Sequence, residues 1–249
     1  MNFFSIFKRN LIFKLKKKIN IDRDIFHKDV NLEQLFSHYE TDKAKLIKKN
    51  NISGHGYSEF YEKYLSKLKN KKLNILEIGS YSGSSAAAFS KYFPNSKIYC
   101  LDVNLRNFLY KSKQIYPYGL DVTNLSSVKN FLKKIEFDKK IFFFDIIIDD
   151  GSHILSHQLR SLDYFFKFVK KGGFYIVEDY KFPEYFKHLK DVDDPTLRII
   201  IDEIRKKKIS ELKHISTESI NELSKNINNI YEHKGYKEIS DIMFIEKLN

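Results

Sequence analysis

From residue 73 onward the chain alternates short apolar runs with stretches in which apolar residues recur every three or four positions. The runs LNILEIG (73–79), KIYCLDV (97–103), IYPYGLD (115–121), FFFDIIID (142–149) and GGFYIVED (172–179) predict strands. Between them Ser84–Tyr92, Leu105–Lys113, Leu125–Ile135 and Leu155–Lys170 predict helices. The strand runs lack polar alternation, as expected where both faces of a sheet are covered. Strands and helices alternating at this spacing need right-handed crossovers, so the expected fold class is α/β with a doubly wound parallel sheet and helices on both faces. Beyond residue 180, Thr196–Lys208 predicts a helix, and 230–236 with 241–247 a C-terminal antiparallel strand pair. Residues 20–70 read as helical and polar, with a turn at SGHGYS (53–58).

The unusual residues fall at the carboxyl ends of the strands: Glu77–Gly79, Asp102, Asp121, Asp149–Asp150 and Glu178–Asp179. Ligands of open parallel sheets bind at that edge. The glycine loop ILEIGSYSGSS follows a strand and opens a helix, the setting in which a backbone approaches a ligand closely. It departs from G-x-G-x-x-G, because Tyr81 stands two positions after Gly79 and the next glycine is Gly83. Glu77, just before the loop, would oppose a pyrophosphate and favour a cationic ligand. Asp102, at the end of the next strand, can accept hydrogen bonds from both hydroxyls of a ribose. A nucleoside with free ribose hydroxyls, no phosphate and a positive charge describes S-adenosylmethionine better than NAD, and Asp121 could then accept from the adenine amino group.

Together ILEIGSYSGSS, LDV, GLDVTN, DIIIDDGSH and GGFYIVED resemble the ordered motifs of the Rossmann-like, class I S-adenosylmethionine-dependent methyltransferases. IIDDGSH with the later VED resembles a narrower group, the metal-dependent O-methyltransferases that act on sugars of macrolide antibiotics and related glycans. HYETDKA (38–44) and HGYSEFYEKYL (55–65) are similar to the region those enzymes carry ahead of the glycine loop, so the resemblance covers about residues 36–180. The resemblance implies a cofactor set of Glu77, Gly79, Ser80, Gly83, Ser84, Asp102, Asp121 and Asp149, the last bordering the methionine end of the cofactor.

Asp150, Glu178 and Asp179 offer hard oxygen donors at the ends of strands expected to be neighbours, and hard carboxylates without cysteine suit Mg²⁺. The resemblance implies the same three residues as metal ligands. The competing expectation is that Asp150 or Ser152 caps the following helix while Glu178 and Asp179 bind surface lysines. An alcohol is a poor nucleophile toward a methyl sulfonium, so the reaction also needs a base. Imidazole exchanges a proton near neutral pH, and His153 lies three residues from Asp150 on the same turn; His157, one turn further, reads as a surface or supporting residue. The expected function is therefore an O-methyltransferase acting on a sugar hydroxyl, with His153 and Asp150 as its catalytic residues. The acceptor would be a nucleotide-activated sugar or a bacterial surface glycan such as capsule. Residues 36–60, Asp191–Pro195, Tyr180 and Phe182 are expected to line the acceptor side.

Composition narrows the alternatives. The single cysteine, Cys100, excludes an intrachain disulfide and fits a reducing cytoplasm; its place in an apolar run makes it a buried spectator. The net charge of +12 raises a nucleic-acid partner and hence RNA or DNA methylation. The lysines are spread along the chain with no compact arginine–aromatic patch, so nucleic acid is the weaker expectation. The N-terminal stretch MNFFSIFKRNLIFKLKKK is the local exception, with six basic residues, no acid, and Phe3, Phe7, Leu11 and Leu15 at helical spacing. It is too short and charged to span a bilayer. Docking on the body or on a partner subunit leads the expectations for residues 1–20, followed by peripheral contact with the inner face of an anionic membrane. The latter would suit a non-catalytic glycan-assembly protein. The expected organisation is a helical N-terminal extension, 1–70, that includes this basic helix and caps the active site, then a methyltransferase domain, 71–249. A homo-oligomer is also compatible with the sequence.

Overall fold

The computed structural model describes residues 3–47 and 51–249. Met1, Asn2 and the Phe3 side chain lie outside the described residues, although the basic stretch includes them. Two compact units are present: one runs to Asp121 and takes in Lys234–Glu238, the other comprises Val122–His233 and Ile239–Asn249. The main sheet has seven strands.

In the first unit, helices α1 (Phe3–Leu15), α2 (Leu32–His38) and α3 (Ser58–Leu65) precede β1 (Asn74–Ile78), α4 (Ser84–Tyr92), β2 (Lys97–Asp102) and β3 (Ile115–Gly119). The three strands run parallel in the order β1-β2-β3, with Glu77 opposite Cys100 and Asp102 opposite Gly119. Ile75, Leu76, Ile98 and Leu101 are fully buried, which is why these runs carry no polar alternation. Cys100 is equally buried, and that burial raises its thiol pKa well above the ordinary value, the behaviour of an inert core residue. Helix α2 starts with a capping box between Asn31 and Gln34. Its Phe36 meets Phe89 of α4 edge-on at 5.3 Å and Tyr61 of α3 at 6.1 Å, so residues 32–65 share an aromatic core with the glycine-loop helix.

The expected helix over Leu105–Lys113 does not form. A single tight turn at Leu105–Asn107 is followed by an extended pair, Tyr110–Lys111, lying parallel to Ile19–Asn20. Tertiary contacts override helix propensity there. Phe108 is fully buried, and the next residue, Leu109, donates its backbone N–H to the Ser82 carbonyl at 2.9 Å. A continued helix would pull this segment off the glycine loop.

Helix α1 docks on the same unit. Asn10 Nδ2 donates to the Gly119 carbonyl at 3.0 Å, Arg9 to the Val103 carbonyl at 3.2 Å, and Lys16 Nζ to the Arg106 carbonyl at 2.9 Å. Phe13 meets Phe108 edge-on at 6.0 Å. The approach at Gly119 is so close that a Cβ there would lie 1.6 Å from Asn10 Oδ1.

In the second unit, α5 (Leu125–Lys139) is capped by Asn124 and precedes β4 (Phe144–Asp149), α6 (Leu155–Phe165) and β5 (Val169–Glu178). Then come α7 (Phe182–Tyr185), α8 (Leu197–Arg205), α9 (Thr217–Asn226), β6 (Ile227–Lys234) and β7 (Asp241–Lys247). The strand order is β6-β7-β5-β4, with β5 parallel to β4 and antiparallel to β7. Helix α6 stops at Phe165 instead of Lys170, because Val169 is already paired with Phe144 and the chain turns tightly through Phe166–Phe168. Helix α9 escapes the sequence pattern: of its ten residues only Ser219, Ile220 and Leu223 are buried, too few for a clear apolar stripe.

Gly83 is constrained both in its backbone and in the space around it. Its φ is +76°, and a Cβ would come within 2.6 Å of the Phe108 ring. Gly83→Ala is expected to cost about 1–3 kcal/mol through left-handed strain and overpacking. A thermal melt checks this; an unchanged midpoint would contradict the packing described.

Candidate active site

On the first unit the loop after β1 is closed by the backbone of β2, since Gly79 and Ser80 both donate to the Leu101 carbonyl, at 2.8 and 3.2 Å. Asp102 then ties the loop from the other side. Its Oδ2 accepts from the Tyr81 N–H at 2.8 Å and its Oδ1 from the Asn104 N–H at 2.6 Å. Each carboxylate oxygen keeps a second lone pair for a ligand hydroxyl. Tyr81, which stands where the dinucleotide pattern has glycine, adopts φ +41° with its side chain exposed. Glu77 is fully buried and accepts a hydrogen bond from the Ser85 hydroxyl of α4. Ser82 and Ser84 hydroxyls lie 2.9 Å apart at the helix entrance. Leu120 donates to the Asp102 carbonyl at 3.0 Å, which brings the chain leading to Asp121 past the end of β2. Glu77 near the end of β1, the loop from Gly79 to Gly83, Ser84 at the start of α4 and Asp102 at the end of β2 thus lie around one turn of chain, with Asp121 two residues beyond the end of β3.

On the second unit the register pairs Asp149 with Val177, so Asp150 leaves the sheet level with Glu178, which ends β5 and stays paired with Ile242 of β7. Ile146, Ile147 and Ile148 are buried to within 1%, each contributing about 2 kcal/mol. That apolar anchorage carries Asp149 into the interior with only 4% exposure. Burial pushes its carboxyl up to about 6, against the opposing pull of His153, the Gly151 N–H and the Tyr175 hydroxyl. The last two donate to it, each at 3.3 Å. The sequence analysis does not single out Tyr175, because its place beside Asp149 follows from the register of β4 and β5, which pairs Asp149 with Val177.

Beyond the strand ends Asp150, His153 and Asp179 converge. Each offers a ligand atom, and those atoms all lie within 4.8 Å of one another. His153 Nε2 is 3.8 Å from Asp150 Oδ1. The backbone is bent to bring them together: His153 has φ +57° and Asp179 φ +50°, both uncommon outside glycine. The Ser152 hydroxyl and His157 Nδ1, 2.7 Å apart, close the turn that carries His153. The Phe182 ring leans on the imidazole at 4.8 Å. The chain after Asp179 is anchored by Tyr185, whose hydroxyl donates to Asp241 at 2.6 Å, and by Lys181, 3.5 Å from the same carboxylate. Glu178 is buried and lies outside the three-residue cluster.

The capping alternative for Asp150 and Ser152 is not realised, because the residue that opens α6 is Ile154 and it makes no side-chain cap. Two carboxylates and an imidazole offer hard oxygen and borderline nitrogen donors in one place, a set that fits a small divalent cation.

The raised Asp149 pKa has a consequence for stability in the absence of ligands. The folded carboxyl holds its proton up to about 6, whereas the unfolded one releases it near 3.8. The unfolded state therefore binds fewer protons between those values, and stability falls as pH rises through that window, by on the order of 3 kcal/mol. Asp149→Asn is expected to flatten this slope in thermal melts recorded from pH 4 to pH 7; an unaltered slope would assign it to other groups.

No protein-family model matches the sequence. Among curated proteins, it is 30% identical over 138 residues to a tetracenomycin rhamnosyl 3'-O-methyltransferase of Streptomyces olivaceus, covering 50% of this chain and 32% of that protein. It is 28% identical over 160 residues to mycinamicin VI 2''-O-methyltransferase of Micromonospora griseorubida, covering 60% of this chain and 36% of that one. These matches thus span only about a third of each relative. Among solved structures, the MycE methyltransferase of the mycinamicin pathway, in complex with Mg, SAH and mycinamicin VI, superposes with a TM-score of 0.67 at 22% identity. That superposition covers 89% of this chain and 55% of that one. The chain therefore has the Rossmann-like fold of the class I methyltransferases, and the two curated relatives named here are O-methyltransferases.

Proposed function

We propose that this chain transfers a methyl group from S-adenosylmethionine to a hydroxyl of a sugar, with a divalent cation, Mg²⁺ in the cell, held at Asp150 and Asp179. The observation that carries the reading is the convergence of those carboxylates with His153 at the ends of β4 and β5. The relatives named above, which act on glycosylated antibiotics, support a sugar acceptor. A nucleotide-activated sugar or a surface glycan such as capsule is the acceptor class we favour for this chain.

In this reading the residues divide the work. In the first unit, Asp102 receives the ribose hydroxyls, Asp121 the adenine amino group, and Glu77 the cationic end of the amino acid. Gly79, Ser80, Gly83 and Ser84 let the backbone approach the cofactor. In the second unit, Asp149 borders the methionine end. Asp150 and Asp179 hold the cation, with Glu178 behind them on the same strand end. Bound there, the cation orients the acceptor hydroxyl and lowers its pKa. His153 takes the proton at Nε2 as the oxygen attacks the methyl carbon in line with the departing sulfur. The leaning Phe182 ring limits the rotation of the imidazole, and the hydrogen-bonded Ser152–His157 pair holds its turn.

The test is transfer of labelled methyl from S-adenosylmethionine to a panel of nucleotide-sugars and surface glycans, with Mg²⁺ and with chelator. His153→Ala is expected to lower kcat by about 10²–10⁴-fold while leaving cofactor affinity nearly intact. Asp150→Asn should remove activity and the response to Mg²⁺ together. Full turnover in chelator, or in either variant, would contradict the mechanism; labelling of RNA in place of every glycan would overturn the acceptor class.

A further inference from the structure

Helix α1 carries apolar side chains on both sides, one set facing the first unit and another facing outward. The side that meets the first unit carries Arg9, Asn10 and Phe13, two of which bond to backbone carbonyls. The opposite side carries Phe4, Phe7, Leu11 and Leu15, with exposures of 77%, 62%, 50% and 81%. At 100° per residue these four fall within one narrow stripe along the helix. Lys8 and Lys14 flank the stripe on either side, and both are exposed, as is Lys17 just beyond the helix end. A helix on a globular body ordinarily turns its apolar stripe inward. A contiguous outward stripe of this kind marks a binding surface.

We infer that the outward face of α1 is a docking surface for an anionic phospholipid membrane. Charge complementarity selects this occupant. The first eighteen residues carry six basic side chains and no acid. Lysines beside an apolar stripe can lay their alkyl stems along it and reach headgroup phosphates with their ammonium groups. A second copy of the chain would bring the same cations against themselves. A nucleic acid would engage the lysines but leave four large apolar side chains in water. The helix lies on the surface and does not cross: among the described residues, no helix is long and apolar enough to span a bilayer. The stripe is independent of the methyl-transfer residues, so this inference stands whether or not the proposed reaction is correct.

The test is co-sedimentation of the full chain with phosphatidylcholine vesicles, with and without phosphatidylglycerol. Binding is expected only to the anionic vesicles and should weaken as salt is raised. Phe7→Ser with Leu11→Ser alters exposed positions and should weaken binding about tenfold or more, with unchanged circular dichroism and melting. Lys8→Glu with Lys14→Glu, which leaves the stripe intact, should weaken it to a similar degree. Three results would each overturn the inference. One is the absence of binding to anionic vesicles. A second is equal binding by the wild type and both variants. The third is self-association that the Phe7/Leu11 variant abolishes in a chain that does not bind lipid.

Discussion

Two carboxylates held close together beside an imidazole set the terms for the rest of this structure. Asp150 and Asp179 offer oxygens within 4.8 Å of each other and of the His153 imidazole. At that separation two unit charges repel by roughly 3–4 kcal/mol at the effective dielectric of a protein surface, a sizeable part of a protein's net stability. A divalent cation bound between them would relieve that repulsion. The arrangement is thus poor as a surface ion-pair network and suitable as a cation site with a base beside it.

What holds the carboxylates there is apolar. The three isoleucines of β4 and the run Phe174–Val177 of β5 are buried, and their register fixes where the strands end. The residues immediately beyond must leave the sheet together, and positive φ at His153 and Asp179 turns both side chains toward Asp150. Strain at two residues, of order 1–3 kcal/mol each, is small beside the burial of the nine apolar side chains of β4 and β5. The tyrosine and lysine that bond to Asp241 hold the chain after Asp179 in place. On the first unit the same logic recurs with backbone donors, where the Asp102 carboxylate fixes the path of the glycine loop through Tyr81.

The strands were readable because burial on both faces leaves an uninterrupted apolar run, and the acids at their ends stood out against it. The chemistry of DIIIDDGSH was legible for the same reason: Asp149, Asp150 and His153 interrupt the pattern where the strand must stop. Other features depended on contacts that no local pattern encodes. Leu105–Lys113 looks helical, but Phe108 is needed over Gly83 and the chain is drawn out flat beyond it. The Ser152–His157 contact, the lean of Phe182 on His153 and the Tyr175 bond to Asp149 join residues whose proximity follows from turns and register. The orientation of α1 was illegible too, since amphipathicity shows that a helix has two faces but not which one meets the body.

In the proposed mechanism Asp150 and Asp179 hold a cation beside the His153 base. Titration with Mn²⁺ followed by electron paramagnetic resonance tests it without any acceptor sugar. One Mn²⁺ is expected to bind per chain, displaced by Mg²⁺, with affinity reduced at least about tenfold in Asp150→Asn and in Asp179→Asn. Binding that is absent in the wild type, or unaltered in both variants, would contradict it.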